Sequence, residues 1–154
     1  MKQITIVDQL HRRRLTALEA ALKQARAEQA TREAALEACC LSEAATRQSG
    51  LQLKHEIDRV LFSGTVNPTD LNKARHQLQA AQDALLAAVE AVKSARSDVA
   101  AAEQRTAQAV QAWRAQAITV EKFGVLLNDW RTAHEAEALY REEMEQEDVF
   151  RRRA

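Results

Sequence analysis

The residue types best suited to chemistry in this chain are two adjacent cysteines and four scattered histidines. Cys39 and Cys40 are not accompanied by a CxxC spacing, and neighbouring side chains on a helix point about 100° apart. Such a pair does not suit an ordinary structural disulfide and indicates a reducing cytoplasm. Only His134 has a possible partner at helical spacing, Glu137, and two ligands on one turn make a poor metal site.

Other motifs that carry chemistry are missing from the sequence. It contains no glycine-rich phosphate loop and no HExxH. We therefore expect a protein that is not an enzyme and that uses no cofactor or metal.

The charges are balanced, with 22 basic and 22 acidic residues. A net charge of zero argues against a general binder of nucleic acid or membranes, and no apolar run is long enough to span a bilayer. The basic clusters at residues 11–14 and 151–153 either solvate helix ends or contact an acidic protein surface. The acidic run at residues 142–148 is either a solvated face or a partner-binding one.

The composition favours long helices. The chain has one proline, three glycines and 4% aromatic residues, and it is rich in alanine, glutamate, glutamine, arginine and leucine. We predict an all-α fold in which two long helices form an antiparallel coiled-coil hairpin. The hairpin is expected to be one domain over residues 1–154.

One strong break separates the two predicted helices. Gly64 is expected to adopt the left-handed conformation that closes a helix. Asn67 is predicted to cap the next helix, with Pro68 in its first position. Val66 and Leu71 have the spacing of a hydrophobic staple. The prediction is a first helix over about residues 5–62, a turn over 63–67 and a second helix over about 68–149.

The second helix carries a heptad pattern typical of a coiled-coil seam. All but two of its positions are apolar, and many of them alternate a large residue with alanine, which lets two helices approach closely. These positions are Leu71, Ala74, Leu78, Ala81, Leu85, Ala88, Val92, Ala95, Val99, Ala102, Thr106, Ala109, Trp113, Gln116, Val120, Phe123, Leu127 and Trp130.

The first helix has a weaker pattern. Its apolar residues fit three-four spacing at both ends, but the register is predicted to slip through residues 36–41. Gly50 is expected to be a local weak point, because glycine costs a helix interior about 1 kcal/mol against alanine.

Folding at the turn should pair residues whose numbers add to about 130. Ile4, Ile6 and Val7 are then expected to meet Phe123, Leu126 and Leu127. The second helix outlasts the first and leaves a C-terminal overhang, defined here as residues 125–154. Most aromatic residues lie after residue 112, where they suit anchors for a partner.

This layout resembles the central stalk of type III secretion systems, the YscO/HrpO-like family and its flagellar counterpart. The resemblance covers the whole chain and rests on the two helices, the turn near residue 65 and the stretches 121–130 and 142–147. It implies a non-enzymatic bacterial cytoplasmic rod that inserts its paired terminal helices into the hexameric secretion ATPase. It also implies that the hairpin end faces the export gate protein, and that export chaperones are possible partners.

The residues expected to bind partners fall into two groups. The first group, at the ATPase end, is Arg12, Arg13, Arg14, Trp130, Leu139, Tyr140 and Met144. The second group, at the hairpin tip, is Phe62, Val66 and Leu71.

Two other classes remain open. One is a generic coiled-coil adaptor or spacer, which would self-associate. The other is a helical export chaperone, which would bind a client that leaves the cell.

Overall fold

The computed structural model describes the backbone of residues 2–64 and 67–153 and the side chains of residues 4–64 and 67–146. Two helices, α1 (Lys2–Phe62) and α2 (Pro68–Arg153), account for nearly all of these residues. They pack against each other, and the described residues include no strand, which confirms the predicted all-α helical hairpin. Neither helix, over its described residues, has a stretch long and apolar enough to cross a membrane.

The second half of the turn, at Asn67, agrees with the prediction. The first half, at Gly64, does not. Asn67 precedes α2, its carbonyl oxygen accepts hydrogen bonds from the amides of Asp70 (2.9 Å) and Leu71 (3.2 Å), and its Oδ1 lies 3.5 Å from the Thr69 amide. These contacts confirm the predicted cap, since the first amides of a helix need acceptors outside it. Val66 lies outside the described residues, so the predicted staple is untested.

The prediction of a left-handed Gly64 is wrong, because no described glycine has a positive φ. The side chain of Ser63 explains why such a glycine is not needed. Its hydroxyl donates to the carbonyl oxygen of Val60 at 3.1 Å, and its amide lies 3.4 Å from the same oxygen. Ser63 thus satisfies a carbonyl at the end of α1 that a left-handed glycine would otherwise help to pair.

Close contacts divide the chain into two units. Unit 1 contains Met1–Lys23 and Gln108–Ala154, and unit 2 contains Gln24–Ala107. Each unit includes a segment of both helices. The expectation of a single domain stays a prediction.

The core of unit 2 is a narrow seam between α1 and α2. Ile57, Val92, Val99 and Ala102 are its buried apolar residues. Every predicted seam position of α2 between Ala74 and Thr106 is buried or half-buried. Polar contacts lie along its edges, because a two-helix seam leaves much of each helix in water.

Those edge contacts support the predicted pairing within unit 2. Nη1 of Arg105 lies 2.8 Å from Oε1 of Glu28, and Nη1 of Arg32 lies 3.5 Å from Oδ2 of Asp98. Both pairs join residues whose numbers add to about 130, as the fold at the turn requires. The antiparallel register of α2 against α1 in unit 2 therefore agrees with the sequence prediction.

The predicted slip in the register of α1 is wrong. Buried and half-buried positions continue through the helix at heptad spacing, although polar or small residues occupy several of them. The two series in unit 2 are Gln29, Leu36, Glu43, Gly50 and Ile57, and Ala25, Cys39, Thr46 and Leu53. The remaining member of the second series, Arg32, is exposed and lies 3.5 Å from Asp98 of α2. A narrow seam lets polar side chains reach water at its edge. These residues therefore occupy seam positions of α1, although their types do not show a heptad pattern in the sequence.

The seam of unit 1 also combines apolar and polar residues. Leu22 is buried, and Leu15 and Leu18 are half-buried beside it. Nε2 of Gln116 lies 3.1 Å from the carbonyl oxygen of His11 and 3.0 Å from its Nδ1. These bonds join α1 to α2 where an apolar pair would be usual.

Three of the residues expected to meet near the start of α1 are instead exposed. Ile4 is 38% exposed, Ile6 is 54% exposed and Leu126 is 59% exposed. The seam at this level is occupied by His11, whose ring stacks on that of Phe123 with centroids 4.8 Å apart. The physical reason is register: Phe123 and Leu127 face α1, and Leu126 lies on another face of α2.

Candidate protein-binding surfaces

The C-terminal overhang presents uncovered side chains. Every described residue from 131 to 146 is exposed. Among them Leu139 is 61%, Tyr140 is 63% and Met144 is 45% exposed. Large apolar side chains grouped on one exposed helix segment are characteristic of a surface that binds another protein.

Trp130 is more covered than the sequence analysis expects. It occupies a seam position of α2 and is half-buried. The ring of His134 meets it edge-on, with centroids 4.1 Å apart. A groove of about 510 Å³ borders this pair and is also lined by Arg131, Glu135 and Ala138. Trp130 is therefore only partly available to a partner.

The charges of the overhang are mostly acidic. Glu135, Glu142, Glu143 and Glu145 are exposed and form no ion pair within the described part of the chain. Glu137 lies 3.7 Å from Nη2 of Arg141 and 3.6 Å from Nδ1 of His134. Exposed pairs at these distances contribute little to stability, so the acids remain available to a basic partner.

The three arginines of α1 in unit 1 are not equivalent. Nε of Arg12 lies 2.8 Å from Oδ2 of Asp8, whose side chain is only 10% exposed. Arg13 and Arg14 are exposed and have no ion pair among the described residues. Arg13 and Arg14 are therefore better placed than Arg12 to meet an outside partner.

The hairpin tip in unit 2 carries a second uncovered apolar group. Phe62 is 89% exposed and Leu71 is 52% exposed. A groove of about 300 Å³ lies between the adjoining segments of the two helices, lined by Leu53 and Ile57 of α1 and Ala74 of α2 among others. The third predicted tip residue, Val66, lies outside the described residues. Such a groove could accept one apolar side chain of a partner.

The cysteines and acids offer no metal site within the described residues. Cys39 and Cys40 are free and half-buried, and Cys39 lies in the α1 seam. The described residues contain no group of three or more histidine, cysteine, aspartate or glutamate side chains arranged to hold a metal ion.

Sequence reasoning missed one exposed apolar group, Ile118, Val125 and Leu126, which are 53%, 56% and 59% exposed. These residues lie outside the seam register of α2. The spacing of Ile118, Val125 and Leu139 in steps of seven and fourteen was the available signal.

Comparison with known proteins yields no relative for this chain. No family model matches it, and neither the curated proteins nor the solved structures include a significant match.

Proposed function

We propose that this chain is the non-enzymatic stalk of a bacterial type III secretion apparatus. In this proposal the terminal segments of α1 and α2 insert into the hexameric secretion ATPase, and the hairpin tip contacts the export gate protein. The protein then acts in the cytoplasm at the inner-membrane face of the apparatus. Export chaperones are further candidate partners.

The observation that carries the proposal is the uncovered segment of α2. Side chains from 131 to 146 lie in water, and they include Leu139, Tyr140 and Met144. These residues lie on two neighbouring turns, and a partner that encloses the helix would bury them, which is favourable for apolar area. The pore of a ring-shaped ATPase provides walls on several sides at once.

Charge supports the same assignment. The overhang is mainly acidic, whereas Arg13 and Arg14 of α1 add exposed positive charge in the same unit. A ring lined with charges of both signs would use them to guide insertion and set the register, more than to add affinity.

The tip is proposed as the export-gate contact. Phe62 has little packing role at 89% exposure, and the neighbouring groove adds apolar surface. An exposed aromatic side chain beside a groove is a common anchor in protein interfaces.

The proposal is tested with the double variant Leu139→Ser/Tyr140→Ser. We expect it to keep the helicity of the wild type, because neither side chain packs in the seam. Its affinity for the purified secretion ATPase of the same cell should fall about tenfold or more, as expected for loss of interface anchors. The measurements are fluorescence titration and stimulation of ATP hydrolysis.

Glu103→Gln is the matched control, since Glu103 is exposed on the same helix but lies outside the overhang. It should bind nearly as the wild type does. Equal binding by the serine variant would contradict the proposed site, and the absence of any ATPase binding by the wild type would contradict the stalk function.

The two alternatives predict different partners. A coiled-coil spacer would self-associate without binding the ATPase, and an export chaperone would bind a client that is secreted. The exposed residues Leu139, Tyr140 and Met144 are the surface that the stalk proposal assigns to the ATPase, and the partner that binds them distinguishes the three classes.

A further inference from the structure

The outer face of α2, opposite its seam, changes character at Ile118. Up to that point the positions of this face spaced seven residues apart are all polar: His76, Asp83, Glu90, Ser97, Gln104 and Gln111. The next two members of the series, Ile118 and Val125, are apolar and more than half exposed.

In unit 1, α2 is therefore apolar on two opposite faces over residues 118–130. Val120, Phe123 and Leu127 are half-buried on the seam side, Ile118 and Val125 are exposed on the opposite side, and Leu126 is exposed on the flank next to Val125. A helix with apolar residues on both faces is typical of one that is covered on both. Helix α1 covers only the first of them.

Two charged residues lie in line with the exposed apolar ones. Lys122 and Asp129 follow Ile118 by four and eleven residues, which places all three along one line of the helix surface. Both charged residues are exposed, and neither has an ion-pair partner among the residues that the structure describes. Val125 and Leu126 lie between them.

We infer that a second copy of this chain docks antiparallel on the outer face of α2. The two-fold axis passes between Val125 and Leu126. Lys122 of each copy then faces Asp129 of the other, and Val125 faces Leu126. Such a surface is self-complementary, as a two-fold interface requires.

The charges select this register among those related by a shift of one heptad. A shift in one direction sets Asp129 against Asp129 of the second copy, and a shift in the other sets Lys122 against Lys122. A parallel pair in register would set Lys122 against Lys122 and Asp129 against Asp129. Because like charges that face each other are unfavourable, the antiparallel pair about this axis is the arrangement that joins unlike charges.

The pairing goes beyond the proposed stalk function and does not depend on it. In the stated register, Leu139 and Tyr140 fall opposite Ala112 and Gln111 of the second copy. The pair would therefore cover two of the residues assigned to the ATPase. The dimer would form when the protein is free, and binding to the ATPase would compete with dimer formation.

The test is sedimentation velocity of the full chain over the micromolar range, with charge-reversal variants. The wild type should form a reversible dimer. Lys122→Glu and Asp129→Lys should each weaken the dimer about tenfold or more, because each reversal turns two attractive contacts into repulsive ones. Mixing the two variants in equal amounts should restore a dimer, since every facing pair then has opposite charges.

Glu90→Lys is the matched control, because Glu90 is an exposed charge on the polar part of the same outer series. It should dimerise as the wild type does, and circular dichroism should show unchanged helicity for all variants. A wild type that stays monomeric, single variants that dimerise normally, or a mixture that stays monomeric would each overturn the inference.

Discussion

Asp8 shows at the residue scale how this protein departs from an apolar seam. It occupies a heptad position of α1 and is 7% exposed. One carboxylate oxygen contacts Arg12, and the other, Oδ1, is buried with no hydrogen-bond partner among the described residues. A buried polar atom without a partner costs free energy. We therefore expect an apolar residue at this position to make unit 1 more stable than Asp8 does.

Replacing Asp8 with leucine should raise the free energy of unfolding by about 1–2 kcal/mol. The substitution removes an incompletely paired charge and adds apolar volume to the seam. Arg12 tolerates the loss of its partner, because its side chain is 62% exposed and can be hydrated. Urea unfolding followed by circular dichroism measures the change.

Asp8→Asn provides the control for this prediction. It keeps the shape of the side chain and removes the charge, so its stability should fall between those of the wild type and Asp8→Leu. A lower stability of Asp8→Leu than of the wild type would show that Asp8 has a stabilising partner.

At the element scale, α1 keeps its heptad register through a stretch with few apolar residues. Gly50 occupies one of those positions, and the helix continues through it without a positive φ. Gly50 is therefore expected to lower the stability of α1 without interrupting the helix.

Gly50→Ala should stabilise the protein by about 0.5–1 kcal/mol, because alanine restricts the unfolded chain and favours the helix. A Cβ atom at this position meets no atom within 4 Å, so no clash opposes the gain. Thermal unfolding followed at 222 nm gives the shift in Tm. Ala45→Gly, at an exposed position of the same helix, is the converse control and should lose a similar amount. No gain from Gly50→Ala would imply that α1 is bent or frayed at this position in solution.

At the scale of the whole molecule, the central question is whether α1 and α2 pair within one chain. Ile57 and Ala74 line the same groove in unit 2. The short turn between Phe62 and Pro68 favours pairing within the chain, because closing a short loop costs little entropy.

The variant Ile57→Cys/Ala74→Cys tests this, in a background where Cys39 and Cys40 are replaced by alanine. Mild oxidation should form a disulfide within one chain, seen as faster migration on a non-reducing gel without a dimer band. Ile57→Cys/Leu86→Cys is the control and should not crosslink within the chain, because Leu86 is 65% exposed and lies off the seam. Crosslinks found only between chains would indicate that two copies exchange helices.

The sequence by itself determined the two helices, the position of the turn and the register of α2. These features depend on local preferences: the cap at Asn67, the proline at the first helical position, and a heptad pattern whose apolar residues are nearly uninterrupted. It also located Leu139, Tyr140 and Phe62 as exposed apolar residues, because Leu139 and Tyr140 follow the predicted seam positions of α2 and Phe62 lies next to the turn.

Only the tertiary structure decided the register of α1 and the coverage of individual side chains. Gln29, Glu43 and Gly50 occupy seam positions that their residue types do not reveal, and their placement depends on the facing helix. Leu126 is exposed because Phe123 and Leu127 take the seam positions that face α1. Whether a residue is buried depends on both helices. The sequence pattern of α1 alone therefore does not show which residues are buried where its seam positions are polar.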